Sequence, residues 1–307
     1  MNEKANVYVV VVTYNGMFWY DRCFGSLHQS EIPVQVVVVD NASTDDTVEY
    51  LQTHFPEVHL ITSDVNLGFG QGNNKGIRYA LEHDAEYVFL LNQDAWIESN
   101  TLAVMVETHK KYPEYGLLSP MHLNADKTAI ERGLLTFLTY HEHINLELIS
   151  DFYIGLKKEV YDVLEVNAAA WLLPQKTLEI VGGFDPLFYH YAEDDNYFSR
   201  VLYHGFKAGL IPKVTICHDT ERRVKATPKA AMAFDKWLLQ RSSDLLYPDN
   251  HIHSMIKEYL KLAIVKALTF HWATFRENYR NALFLIRNKK KIMHSREINK
   301  QVGRTWL

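Results

Sequence analysis

The chain has 307 residues, of which 47% are hydrophobic and 22% charged, the balance of a soluble globular protein with a sizeable core. That length allows one large α/β domain, or one domain with a helical appendage, and a formal charge of −5 gives no global case for nucleic-acid binding. Only Cys23 and Cys217 occur, far apart and without CxxC spacing, which excludes a disulfide framework and suits a reducing cytoplasm.

Tyr8–Val12 and Gln35–Val39 are short Val-rich runs between polar turns, the pattern of strands buried on both faces. A helix-length segment, roughly Trp19 to Gln29, separates them. Ser43 and Thr44 followed by Asp45 and Asp46 make a helix start with acidic residues in its first turn. His59–Thr62 reads as a third strand. The glycine-rich loop from Asn66 to Gly72 opens a helix running to about Glu82, and Tyr87–Leu91 is a fourth strand ending at Asn92-Gln93-Asp94. A helix from about Ser99 to Tyr112 follows. Strands alternating with helices at this spacing predict an α/β fold with a doubly wound, mostly parallel sheet.

The second half is less regular. Thr136 to Tyr161 is aromatic and reads as loop or an edge hairpin. Val166–Leu173 is a further strand, Gln175 to Val181 a short helix stopped by Gly182-Gly183, and Glu193 to His204 a helix capped at Gly205. Val214–Cys217 is a strand ending at His218. Beyond about Pro228 the apolar spacing is helical. From Arg276 to Arg304 nine Lys/Arg face two Glu, so this end is basic. Val7–Val12 is too short for a signal peptide, and Lys261, Lys266 and Arg276 interrupt the C-terminal apolar stretches, which argues against a membrane span.

In an open parallel sheet, ligands bind outside the carboxyl ends of the strands. Those ends here are Thr13-Tyr14-Asn15, Asp40-Asn41, Asn66 shortly after the third strand, and Asn92-Gln93-Asp94. Helix caps account for some of these residues; the whole series points to a ligand edge.

Val9-Val10-Val11-Val12-Thr13-Tyr14-Asn15, Val39-Asp40-Asn41-Ala42-Ser43-Thr44-Asp45 and Asn66-Leu67-Gly68-Phe69-Gly70 resemble the nucleotide-binding half of family-2 glycosyltransferases. Asn92-Gln93-Asp94 resembles that family's metal motif. Gly182-Gly183-Phe184-Asp185, Glu193-Asp194 and Arg200 resemble its acceptor-side motifs, in the manner of the rhamnosyltransferase-like branch. The resemblance covers roughly residues 7 to 220. It implies a GT-A fold and inverting transfer of a sugar from a nucleotide-diphosphate sugar (UDP-, dTDP- or GDP-linked) to an acceptor hydroxyl, in surface polysaccharide or glycan assembly. Residues 1–225 would form the catalytic domain, with 1–98 its nucleotide-sugar half and 99–225 its acceptor half; 226–307 would be a helical extension.

On the donor side the resemblance implies that Thr13, Tyr14 and Asn15 line the base and ribose. Asp40 would accept a hydrogen bond from the base, a contact that rejects bases lacking the matching N–H. Gly68, Gly70 and Gly72 lack dinucleotide-fingerprint spacing, yet glycines ahead of a helix suit close approach to phosphate. Asn66 and Asn74 either meet the donor or hold the loop. Asp94 would hold Mn²⁺ or Mg²⁺, which favours carboxylate and phosphate oxygens and stabilises a departing diphosphate. The family often carries an acid two places earlier; here Asn92 offers only a neutral carbonyl. His218 would complete the metal shell, and imidazole favours Mn²⁺ over Mg²⁺.

An acceptor hydroxyl needs its proton removed as it attacks, which a positioned carboxylate does. Asp194 matches the family's base; Glu193 would help bind acceptor or start the helix, and Asp195 leaves the assignment within the trio open. Asp185 binds acceptor or shapes a turn, and Trp171, Phe188, Tyr189 and Tyr191 stack on sugar or fill the core. Arg222 and Arg223 clamp diphosphate or lie solvated. The basic C-terminal helices suit anionic headgroups beside a lipid-linked acceptor, a dimer contact or plain solvent. Together these imply a cytoplasmic protein, peripheral at most at the inner face of the membrane. Two rivals remain: a silent nucleotide-sugar-binding scaffold, and a sugar nucleotidyltransferase, disfavoured because no Gly-x-Gly-x-Arg loop follows the first strand.

Overall fold

The computed structural model describes residues 5–140, 142–222 and 230–307. In its first half β1 (Val7–Thr13), α1 (Met17–His28), β2 (Val34–Asp40), α2 (Thr47–His54), β3 (His59–Thr62), α3 (Gly68–Glu82) and β4 (Tyr87–Asn92) follow the order read from the sequence. Alternation builds the two faces of this half. Val7, Val9 and Val11 pack against Tyr20 and Phe24 of α1, while Tyr8 and Val10 pack toward Ile77 and Ala80 of α3. Each such side chain, fully buried, contributes about 1.5–3 kcal/mol of apolar burial.

The glycines of α3 are packing devices. A Cβ on Gly72 would lie 2.9 Å from the Val12 side chain, and one on Gly76 2.3 Å from that of Val10. The helix therefore sits flush on β1. Gly70 abuts Phe184 in the same way. The phosphate-approach reading of this run gives way to helix-on-sheet contact, because the helix already begins at Gly68.

The second half continues with β5 (Ala95–Ile97), α4 (Thr101–Lys111), β6 (Tyr115–Leu123), α5 (Arg132–Tyr140), α6 (Glu142–Ile154), β7 (Tyr161–Asp162), β8 (Ala170–Pro174), α7 (Gln175–Val181), α8 (Glu193–Tyr203) and β9 (Lys207–His218). The aromatic stretch expected as loop or hairpin is thus mainly the helices α5 and α6. The nine-stranded sheet runs β3-β2-β1-β4-β8-β6-β9-β5, with β7 on β9. Its first four strands are parallel, β8 enters antiparallel between β4 and β6, and β9 lies parallel to β6. The parallel expectation therefore describes the first half, and the second half makes the sheet mixed.

Three helices follow: α9 (Ala230–Ser243), α10 (His251–Leu268) and α11 (Trp272–Asn299). They share a small apolar cluster of Leu238, Ile252, Met255, Leu285 and Ile292, joined by Leu187 from the preceding half. The last residues then return to the sheet domain. Gly183 N–H donates to the Thr305 carbonyl at 2.8 Å, Gly303 N–H to Ile180 at 3.1 Å, and Leu307 packs on the main core. No helix among the described residues is long and apolar enough to cross a membrane.

Candidate active site

The carboxyl ends of β1, β2 and β4 are laced together by side chains. Gln93 accepts from Tyr14 N–H at 2.9 Å and donates to the Tyr14 carbonyl at 3.1 Å, joining the ends of β4 and β1. Thr13 Oγ1 donates to Asp40 Oδ1 at 3.3 Å, and the other Asp40 oxygen accepts from Ser43 N–H at 3.1 Å. Asn15, with φ of 48°, accepts from Thr44 N–H at 2.8 Å, so the turns after β1 and β2 share one hydrogen-bond network. Thr13 and Asp40 are buried, whereas Tyr14 is exposed at this end of the sheet.

Asn66 sits in a second network. Its Oδ1 accepts from Asn41 at 3.0 Å and from Gly68 N–H at 2.9 Å, while the Tyr189 hydroxyl donates to it at 3.2 Å. Asn41 in turn accepts from Leu67 N–H at 2.7 Å. Gly68 has φ of 77°, and a Cβ there would meet the Tyr189 carbonyl at 1.8 Å, so the segment carrying Tyr189 lies directly on the start of α3. Sequence reasoning missed Asn41 and Gln93 as the knots of these networks, although both sit at strand ends already singled out.

At the end of β4, Asp94 Oδ1 lies 3.4 Å from His218 Nε2, and both side chains are about 3% exposed. Asn92 Nδ2 is 3.3 Å from the same ring nitrogen. The pairing of Ala95 with His218 in the β5–β9 ladder creates this convergence across more than a hundred residues of chain. Next to it, one ligand-type atom each of His122, Glu131 and His218 lies within 4.8 Å of the others. Burial, then the neighbouring His218, pushes the His122 pKa down to about 3, so this imidazole is neutral at ordinary pH. Glu131 is held below its usual pKa: burial opposes ionisation, but the Gly133 and Leu134 amides donate to its two oxygens at 2.8 and 2.9 Å. That geometry caps the start of α5. Neither His122 nor Glu131 was found from sequence, because the strand carrying the first was itself unrecognised.

The acidic trio opens α8. Tyr191 and Ala192 both adopt left-handed backbone, with φ of 67° and 70°, and deliver Glu193, Asp194 and Asp195 to the helix N-terminus. Asp194 is half-buried and accepts from Asp195 N–H at 3.1 Å. All three pKa values are raised. Burial is the main cause, with Asp194 adding to Glu193, Asp194 and Glu165 to Asp195, and Glu165 to Asp194. Lys236 from α9 lies over the Tyr191 ring at 4.5 Å and holds the Glu193 pKa down against those effects. It is a residue that sequence reasoning did not find, since nothing in a helical run marks which lysine turns inward.

One chain of contacts links the two carboxylate centres. Asn92 N–H donates to the Ala169 carbonyl at 2.9 Å, and the adjacent Ala168 amide lies close enough to the Asp194 carboxylate to favour its charged form. Because β8 runs antiparallel to β4, its entrance lies at the exit of β4. The start of β8, with the Ala168 amide beside Asp194, therefore lies at the end of β4 that carries Asp94.

Three expected ligand residues are taken up by the fold. The Asn74 amide is spent on backbone: it donates to the Phe184 carbonyl at 2.8 Å and the Trp306 carbonyl at 3.3 Å and accepts from Phe184 N–H at 2.7 Å. Asp185, 1% exposed, accepts from Leu187 N–H and from Ser295 and Asn299 of α11, so it anchors that helix rather than an acceptor. Trp171 is fully buried and stacks on Phe184 with ring centroids 6.3 Å apart, out of reach of any sugar. Tyr189 and Tyr191 remain exposed, while Phe188 is buried. Arg222 lies over Phe18 and beside Asp219; Arg223 falls outside the described residues.

The family model described as glycosyl transferase family 2 matches residues 8–158. Among curated proteins, the N-acetylglucosaminyl-diphospho-decaprenol L-rhamnosyltransferase of Mycobacterium tuberculosis is 24% identical over 244 residues, 73% of this chain and 80% of that protein. The dTDP-rhamnosyl transferase RfbF of Shigella flexneri is 26% identical over 221 residues, 70% of this chain and 69% of its own. Among solved structures, S. aureus TarS residues 1–349 in complex with UDP-GlcNAc superposes with a TM-score of 0.58 at 13% identity, covering 96% of this chain and 90% of that one. The likeness to TarS concerns the fold, which is of the GT-A type.

Proposed function

We propose, for a chain that belongs to glycosyltransferase family 2, that it transfers one sugar from a nucleoside-diphosphate sugar to an acceptor hydroxyl with inversion at the anomeric carbon. The observation that supports this reading is the buried Asp94–His218–Asn92 cluster at the end of β4, whose Asn92 N–H meets Ala169, next to the Ala168 amide that Asp194 approaches. Catalysis of such a displacement needs charge stabilisation at the leaving group and proton removal at the nucleophile. The two centres supply one each.

Thr13, Tyr14, Asn15 and Asp40 receive the base and ribose, with Asn66 at the lip of the cleft. Asp194 takes the acceptor proton as the oxygen attacks, and Glu193, with Lys236 beside it, orients the acceptor. A buried carboxylate and imidazole converging within 3.4 Å, with a neutral amide beside them, fit a divalent cation with oxygen and nitrogen preference. Asp94 and His218 would hold it, with Mn²⁺ better suited than Mg²⁺; bound there, it would supply positive charge for the departing diphosphate. Residues 1–225 act as the catalytic unit and 226–307 as its helical extension. The RfbF and mycobacterial names support a deoxyhexose donated from a dTDP-type carrier and a glycan or lipid-linked acceptor.

A screen of UDP-, dTDP- and GDP-sugars with Mn²⁺ tests the reading: one donor raises the melting temperature and releases its nucleoside diphosphate when an acceptor is added. Binding without turnover of any donor, with all acceptors tried, would favour the silent-scaffold alternative. In calorimetry, Asp94→Ala and His218→Ala each weaken Mn²⁺-dependent nucleotide binding roughly tenfold or more. A metal-independent affinity equal in wild type and both variants removes the metal assignment.

A further inference from the structure

The hairpin of α10 and α11 ends in an apolar tip that none of the described residues buries. On α10 the last buried residue is Ala263, and on α11 the first is Asn278; not one residue of 264–277 is buried. Within that span Leu268 is 75% exposed, Phe270 79% and Trp272 54%, with Ile264 at 61% and Val265 at 42%. Contiguous exposed apolar surface of this kind marks a binding site. Lys257, Lys261 and Lys266 on one helix and Arg276 on the other flank it, against only Glu258 and Glu277, while Arg280 is paired with Asp235 of α9.

We propose that this tip inserts into the interfacial region of an anionic lipid bilayer. The chemistry selects lipid over protein on three counts. The tip is a helix-to-helix turn exposed on every side from Leu268 to Thr274, a convex shape that a fluid phase accepts without a matching groove. Its aromatic residues suit the depth at which apolar rings meet headgroups. The cations sit on the shafts behind the apolar end, where they meet headgroup phosphate once the tip is immersed. Neither helix is apolar enough to cross, so the contact is monotopic. The basic run Arg287–Lys291 lies further along α11, away from this tip, and is not the insertion element. The inference rests on the surface alone. Its consequence, delivery of the cleft to a lipid-linked acceptor, rests on the transferase reading.

The full chain is co-sedimented with vesicles of phosphatidylcholine alone and with vesicles of equal parts phosphatidylcholine and phosphatidylglycerol. Wild type pellets with the anionic vesicles at least tenfold more strongly than with the neutral ones, and high salt releases most of it. The Leu268→Ser/Phe270→Ser/Trp272→Ser variant keeps the wild-type melting temperature, because none of the three has a buried contact, and loses at least tenfold in partitioning. Lys289→Gln/Lys290→Gln/Lys291→Gln leaves binding within the wild-type range. Equal pelleting of wild type and the apolar variant overturns the proposal. So does a wild-type dimer in light scattering that the apolar variant converts to monomer without any vesicle binding, which would make the tip a self-association surface. Donor-dependent melting shifts are recorded for every variant, so loss of lipid binding is distinguished from failure of the transferase reading.

Discussion

Asp194→Asn abolishes most sugar transfer, by about 10²–10⁴-fold, the usual contribution of a positioned base, while donor binding is unchanged. The carboxamide is isosteric and its one carbonyl oxygen can still accept from Asp195 N–H, so the N-terminus of α8 keeps its shape. What it loses is basicity. Measured by single-turnover transfer alongside nucleotide titration, normal turnover in this variant would remove the base assignment, and an equal loss in Asp195→Asn would move it one residue on. The same cluster sets the pH response. Burial and mutual repulsion raise the pKa of all three acids, so the acidic limb of the rate profile lies above the ordinary carboxylate range. Glu165→Gln removes the neighbouring charge that raises the Asp194 pKa and shifts that limb to lower pH.

Stability moves the opposite way. A carboxyl whose pKa is higher in the folded than in the unfolded chain contributes stability below its unfolded pKa and loses it as pH rises toward the folded value. The trio therefore weakens the unliganded fold at neutral pH. Glu193→Gln and Asp195→Asn raise the melting temperature at neutral pH and leave it nearly unchanged in acid, where all three groups are already protonated. A uniform shift at every pH would mean that packing rather than charge is responsible.

The first half of the fold was legible because β1, β2 and β4 are short, almost wholly apolar runs with polar residues at their ends, spaced by helix-length segments. The second half hides its elements for identifiable reasons. The strand Tyr115–Leu123 contains Gly116 and Pro120, and its ladder with β9 shifts register beside each of them. The helix after it begins at a Glu131 cap, a residue type outside the usual Ser, Thr, Asp and Asn set, so no start signal announced it. Asp94 and His218 meet at 3.4 Å although more than a hundred positions separate them, a contact that the strand ends hinted at and only the β5–β9 ladder creates. Asn74 and Asp185 illustrate the ambiguity that remains: an amide or carboxylate able to hold a ligand is equally able to hold a peptide unit, and only the partner's position decides. His122, Glu131 and Lys236 come to the site through β6, the α5 cap and α9, none of which a local pattern could aim.

Arg200→Met destabilises the fold by about 3 kcal/mol or more, from the roughly 1–3 kcal/mol cost of each buried acceptor left unpaired, a melting shift of roughly 6–12 °C. The guanidinium is fully buried and donates to the carbonyls of Val181 and Gly183 and to Thr305 Oγ1. Burial lowers its pKa only to about 10, so it remains charged at neutral pH and its donors must be placed. Between those carbonyls Gly182 has φ of 80°, and a Cβ there would meet the Thr305 carbonyl at 2.2 Å. The turn is thus clamped between α8 and the C-terminal tail, and it leads directly into the segment that sets Asp194. Loss of the clamp should lower transfer before it unfolds the sheet, and deletion of residues 301–307 should do the same. Coupling separates the clamp from simple loss of mass. Gly182→Ala costs more in the full chain than in the truncated one, since only the full chain has the Thr305 carbonyl to clash with, although the left-handed backbone strain is common to both. Equal costs in the two backgrounds would show that the tail lies elsewhere in solution and that the acceptor turn is held by α8 alone.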